Sequence, residues 1–267
     1  METLLQSFPV FLLVFCRITA FFVVSPVFSS RGVPSQFKVG IALFVSLLIY
    51  LIKGTTIKIP DGTEMYMLLV IREIMIGLLL GYIAYLMFMV IQTAGSFIDI
   101  QIGLGIATVF DPMTGASAPL IGNFKYMFAM LIFLSMNGHH YLLQSVLYSY
   151  DWIPMNSDIA SQIMNGSLSD FLIRTFSNSF LIAFQMSAPI VVAMFLTDVG
   201  LGFLARSAPQ FNIFVIGVPV KIIVGLFLLM LLAPSFAFIF EHLFQEMFQA
   251  MQGLLQVLGQ RPSSSSP

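Results

Sequence analysis

Four charged side chains, Arg17, Arg72, Glu73 and Lys221, stand inside otherwise apolar stretches. A charge at the middle of a membrane helix costs about 2.5–3.5 kcal/mol on insertion scales, so such residues face protein or water. Arg72 and Glu73 are neighbours and point about 100° apart on a helix, so each needs a partner elsewhere. Two chemistries suit them: an ion pair fastening subunits together, or a relay for protons or ions. His139 and His140 are adjacent but lack the HExxH spacing of a zinc protease, and no GxxxxGK[ST] phosphate loop occurs. Gly103 and Gly105 lack the third glycine of a dinucleotide loop. Asp99 and Asp111 could act as an aspartyl pair, yet nothing in their spacing joins them. Cys16 is the single cysteine, which excludes intrachain disulfides and cysteine metal clusters. These patterns predict no catalytic residue, no metal and no cofactor: the chain is not expected to be an enzyme.

The elements that hold these charges are membrane helices. Only 9% of the 267 residues are charged and 58% are hydrophobic, with a mean hydropathy of +0.97. A soluble domain carries about 25% charged residues, so this chain cannot cover a water-facing surface. About six apolar segments emerge: Phe8–Phe28, Phe37–Ile52, Met65–Ile91, Phe124–Met136, Phe176–Val199 and Phe211–Phe240. The second and fourth are short against the roughly 20 residues of a bilayer span, unless flanking residues extend them. The first is longer than a secretory leader's core and is expected to be retained. Ten-residue alternation of apolar and polar residues is absent, which argues against an outer-membrane barrel. The reading is an all-α polytopic membrane protein. Its orientation stays open: Arg31, Lys38, Lys125, Arg206 and Lys221 oppose Lys53, Lys58, Arg174 and Arg261 across alternate loops, too even a split for the positive-inside rule. The net charge of −1 says nothing about partners, and no basic run points to nucleic acid.

The connections are unequal. Residues 92–123 form a long, Gly-rich, polar interruption, and residues 149–178 form a second, an exposed loop with room for a short helix, holding Asp151, Asp158, Asp170 and Arg174. The second divides the chain into a four-segment part, 1–148, a polar connecting loop, 149–178, and a two-segment part, 179–240. Residues 241–258 read as an amphipathic helix, with Phe244, Met247, Phe248, Met251, Leu254, Leu255 and Leu258 on one face. That helix would lie on the bilayer or dock on a partner. Residues 259–267 read as a flexible, Ser-rich tail. Gly77 and Gly81 form a small-xxx-small face that lets two helix backbones approach. Pro9, Pro189, Pro219 and Pro234 would kink or end their helices locally. The 17 methionines and 28 phenylalanines suit ordinary membrane packing or a deformable seal around a pore. The stretch 103–122 cannot face lipid, because its backbone would lack hydrogen-bond partners; it is an aqueous loop or lines a protein-enclosed cavity.

Three stretches carry a resemblance: RITAFFVVSPVFS from Arg17 to Ser29 with the following VPSQFKVGIAL, then GLGIATVFDPMTGASAPLIGNF, then FLARSAPQFNIFVIGVPVKIIVGL. They resemble the FliR/SctT family of type III secretion export-gate subunits. The resemblance implies a FliP-like front part and a FliQ-like back part. It implies assembly with FliP and FliQ, contact with FlhB, and a place in the bacterial inner membrane at the flagellar basal body. It also implies that 103–122 is a loop plugging the closed channel for unfolded exported proteins. Within it Val109, Phe110 and Met113 would be apolar stoppers, Gly103, Gly105 and Gly115 would let the backbone rearrange, and Asp111-Pro112 would set a turn. Arg17, Arg72, Glu73, Gly77, Gly81, Arg206 and Lys221 are expected to serve subunit packing. An injectisome gate is the alternative within the family. A secondary transporter or ion channel is the alternative outside it, though the inverted repeats common in transporters are not found.

Overall fold

The computed structural model describes residues 2–30, 32–53, 63–104, 119–155, 165–210 and 212–259. These form α1 (Glu2–Val24), α2 (Ser35–Lys53), α3 (Thr63–Ile102), α4 (Leu120–Ser135), α5 (Gly138–Trp152), α6 (Ser167–Ser207) and α7 (Ile213–Leu258). Among the described residues there is no strand. Four helices, α2, α3, α6 and α7, are long and apolar enough to cross a membrane, and the α4–α5 pair makes a fifth if its two helices count as one bent span.

Helices run further than the sequence suggests. Residues 92–102, read as the start of a polar interruption, continue α3, because their polar groups find partners within the fold. The Ser96 hydroxyl donates to the Gln92 carbonyl one turn back at 3.0 Å, and the Gln101 amide donates to Asp198 at 3.4 Å. α3 ends at Gly103, whose φ of 93° is the left-handed geometry that stops a helix and that glycine adopts at no steric cost. The fourth apolar segment is short because it is one arm of a bent pair. Asn137, with φ 57° and ψ 29°, separates α4 from α5; asparagine is among the few residues that tolerate this conformation. The expected 149–178 loop is largely helical too, since α5 runs to Trp152 and α6 starts at Ser167, leaving residues 156–164 outside the description. Pro9, Pro189, Pro219 and Pro234 sit within helices that continue past them.

Two compact units divide the chain, residues 1–86, 137–175 and 245–267 in one, 87–136 and 176–244 in the other. In the first, Leu13, Val14, Ile18 and Phe21 of α1, Ile76, Leu80 and Ile83 of α3, and Leu142 and Val146 of α5 are buried. The predicted amphipathic helix is the end of α7, and neither predicted destination for its apolar face holds. Met247, Met251, Leu254, Leu255 and Leu258 are buried inside the chain's own fold, with Phe248 packed 5.4 Å from Tyr141 and Gly253 against the Phe171 ring. The second unit is built around aromatic rings: Phe133 lies 5.3 Å from Phe88 and 4.8 Å from Phe244, and Phe88 lies 5.7 Å from Tyr126. Lys125, counted above among loop cations, is buried in α4.

Candidate functional site

The stranded charges of the first unit find one another. Arg17 on α1 and Glu73 on α3 are both fully buried and pair through two contacts, Nε to Oε2 at 2.7 Å and Nη2 to Oε1 at 3.0 Å. Two parallel charge-assisted hydrogen bonds fix both distance and orientation. The rest of the guanidinium is used as well. Nη1 donates to the Ser149 hydroxyl at 2.9 Å, Nη2 donates to the Ile153 carbonyl at 3.3 Å, and the Tyr150 ring centre lies 4.0 Å from Cζ. Next to Glu73, Arg72 donates to the carbonyls of Pro154 and of Met155, the latter at 2.7 Å. Two arginines thus bind three successive carbonyls just beyond the end of α5, where cations complement the helix dipole. A cluster with every acceptor engaged is a structural clamp.

Gly77 and Gly81 complete that clamp. A Cβ on Gly77 would overlap the Arg17 carbonyl oxygen, and one on Gly81 would lie 3.0 Å from the Phe21 carbonyl oxygen. The small-residue face therefore packs on α1 of the same chain, and it brings α3 close enough for Glu73 to reach Arg17.

The second unit holds the base of the Gly-rich loop. Gly105, Val109, Phe110, Asp111, Pro112, Met113 and Gly115 lie outside the described residues, while Gly103 and residues 119–122 lie within them. Of the predicted 103–122 loop, residues 120–122 are the first turn of α4. Pro119, at the cap position of α4, offers no side-chain acceptor. Asp99 of α3 takes its place. Its carboxylate accepts the Ile121 N–H at 3.1 Å to each oxygen and the Gly122 N–H at 3.2 Å. Gly95, one turn before Asp99, sits against the backbone of Gly122, and the Gln92 amide donates to Asn123 Oδ1 at 3.4 Å. Asp99 is thus committed to backbone N–H groups.

Lys221 of α7 pairs with Asp198 of α6 at 2.8 Å, and the Gln101 amide shares that carboxylate. Asp198 escaped the sequence reading, although it obeys the same rule as Arg17: an acid in an apolar segment needs a partner. Arg206 is exposed in the last turn of α6, where a cation complements the helix dipole. Lys125 lies with Nζ 4.3 Å from the centre of the Phe236 ring and has no hydrogen-bond partner. Among the described residues no three His, Cys, Asp or Glu side chains group as a metal site.

Residues 8–247 match the family model described as bacterial export proteins, family 1. The chain is similar to flagellar biosynthetic protein FliR of Bacillus subtilis (strain 168), 42% identical over 262 residues, 97% of this chain and 99% of the relative. It is similar to flagellar biosynthetic protein FliR of Escherichia coli (strain K12), 31% identical over 226 residues and 85% of each chain. Yop proteins translocation protein T of Yersinia pestis is 30% identical over 216 residues, 80% of this chain and 82% of the relative.

Proposed function

We infer the function from family membership: this chain belongs to the bacterial export proteins, family 1. It is a membrane-embedded subunit of a type III protein export gate, and it serves flagellar biosynthesis. The observation that carries this is 42% identity with a flagellar biosynthetic protein over 97% of this chain and 99% of the relative. The flagellar assignment is preferred to the injectisome one because the Yop translocation relative is 30% identical over a shorter match.

The exposed apolar face of α6 supports work inside a larger assembly. Large apolar side chains are exposed along α6 from Ile173 to Leu204. At 1.5 Å per residue that stretch is about 47 Å long, against a hydrocarbon core of about 30 Å. Lipid alone does not cover such a surface, and Asn178 and Gln185 are also exposed along it. Protein neighbours supply both the extra cover and the polar partners. In this reading those neighbours are FliP- and FliQ-like subunits and FlhB, in the bacterial inner membrane at the basal body. Residues 1–148 take the FliP-like part and 179–240 the FliQ-like part. Exposed Arg206 is the charge open to contacts between subunits, while Lys221, paired with Asp198, and Arg17, Arg72, Glu73, Gly77 and Gly81 act first inside the chain.

The Gly-rich segment is the seal in this account. A channel wide enough for an unfolded chain leaks ions at rest unless something fills it. Val109, Phe110 and Met113 supply apolar bulk, and Gly103, Gly105 and Gly115 with Asp111-Pro112 let the backbone turn and rearrange. The subunit is structural, with no catalytic step of its own.

Co-expression tests the assignment. With FliP- and FliQ-like subunits the chain is expected to give one stable detergent complex, and to restore motility to a strain lacking its own copy. A stable, monodisperse monomer purified alone, with no rescue of motility, would sink it.

A further inference from the structure

We propose that Asp99 is the positioning residue of the seal: from α3 it tethers the first turn of α4 and so fixes where the chain returns from the Gly-rich segment. This rests on the seal reading above, and the experiment below separates the two.

The first turn of a helix leaves N–H groups without intrahelical acceptors, and a Ser, Thr, Asn or Asp at the cap position ordinarily satisfies them. α4 has Pro119 there, with no acceptor to give. The acceptor comes instead from a side chain 22 residues earlier, on another helix. A local serine would satisfy the same groups without placing an acid in an apolar helix, where charge is costly. What the distant acid adds is a link between helices. Both of its oxygens are occupied, by Ile121 and Gly122, which leaves it tied rather than free to pass protons.

The surroundings favour the same role. A carboxylate on a short side chain reaches the facing backbone only if the helices nearly touch. Gly95 and Gly122, facing each other without side chains, permit that approach. On the α3 side the helix stops at Gly103, four residues beyond Asp99, where φ of 93° turns the chain away. The point where the chain leaves α3 lies about one helical turn from Asp99, and the point where it re-enters helix is bonded to Asp99. One side chain sets the separation of the two ends.

The test compares co-expressed complexes in planar bilayers. Asp99→Ala is expected to assemble at near wild-type yield and conduct severalfold more than wild type, approaching a complex lacking Val109–Ser117. Adding Pro119→Ser gives α4 a local cap without the tether, and conductance is expected to stay raised. Wild-type conductance in Asp99→Ala, when the deletion leaks, overturns the tether and leaves the seal reading intact. Recovery of the closed state by Pro119→Ser also overturns it, since capping alone would then suffice. A deletion that does not leak removes the seal reading itself. If Asp99→Ala fails to assemble, Asp99→Leu, which fills the same volume without an acceptor, is read by the same criterion; failure of both variants to assemble makes Asp99 a folding residue and overturns the proposal.

Discussion

Arg17 of α1 and Glu73 of α3, 56 residues apart, meet as a two-pronged ion pair with both side chains fully buried. The pair joins two helices that the GLLLG face already brings into backbone contact. Shape and charge therefore specify the same docking, and each can be tested apart from the other.

Arg17→Ala strands Glu73 without its cation, and breaking one side of a buried pair costs about 3–5 kcal/mol. A large fall in the thermal midpoint of the purified complex is expected. Arg17→Met combined with Glu73→Leu removes both charges and is expected to lose less than either single change. A double variant as unstable as the sum of the singles would mean the two charges act independently.

Gly77→Leu places a side chain where the Arg17 carbonyl lies, and Gly81→Leu does the same at Phe21. Overpacking a tight contact costs about 1–3 kcal/mol and rises when backbone is the obstacle. Both variants are expected to lower the yield of this chain even before partners bind, as read by protease resistance in membranes. Undiminished resistance would show that α1 and α3 do not pack here.

The charges and the GLLLG face made the need for partners legible in the sequence, but not who the partners are. Arg17 and Glu73 are too far apart in sequence for any local rule to pair them, and Ser149, Tyr150 and the Ile153 carbonyl join from a third element. The stretch 92–102 misread as loop because Gln92, Gly95, Ser96, Asp99 and Gln101 look like breakers. Each is a packing or hydrogen-bonding device that works only once the facing helix is present. The amphipathic end of α7 was legible as a helix for the opposite reason, a strong local period. Its destination was not, because periodicity marks an apolar face and does not say what covers it. The Gly-rich segment stood out by composition, while its base, held by Asp99, depends on a contact 22 residues long.

Lys221→Gln is expected to shift the thermal midpoint only slightly. The pair with Asp198 is partly open, with side-chain exposures of 17% and 41%, and such pairs contribute about 0–1 kcal/mol. A loss as large as that of Arg17→Ala in the assembled complex would place this pair at a buried subunit contact instead.

If residues 103–122 close the export channel as proposed, ion conductance reads out that closure. Complexes carrying the chain without Val109–Ser117, co-expressed with FliP- and FliQ-like subunits and fused into planar bilayers, are expected to assemble normally and pass a steady current. The complete complex is expected to stay silent under the same voltage. Equal, near-zero currents from the two assembled complexes would mean that residues 103–122 are not the seal.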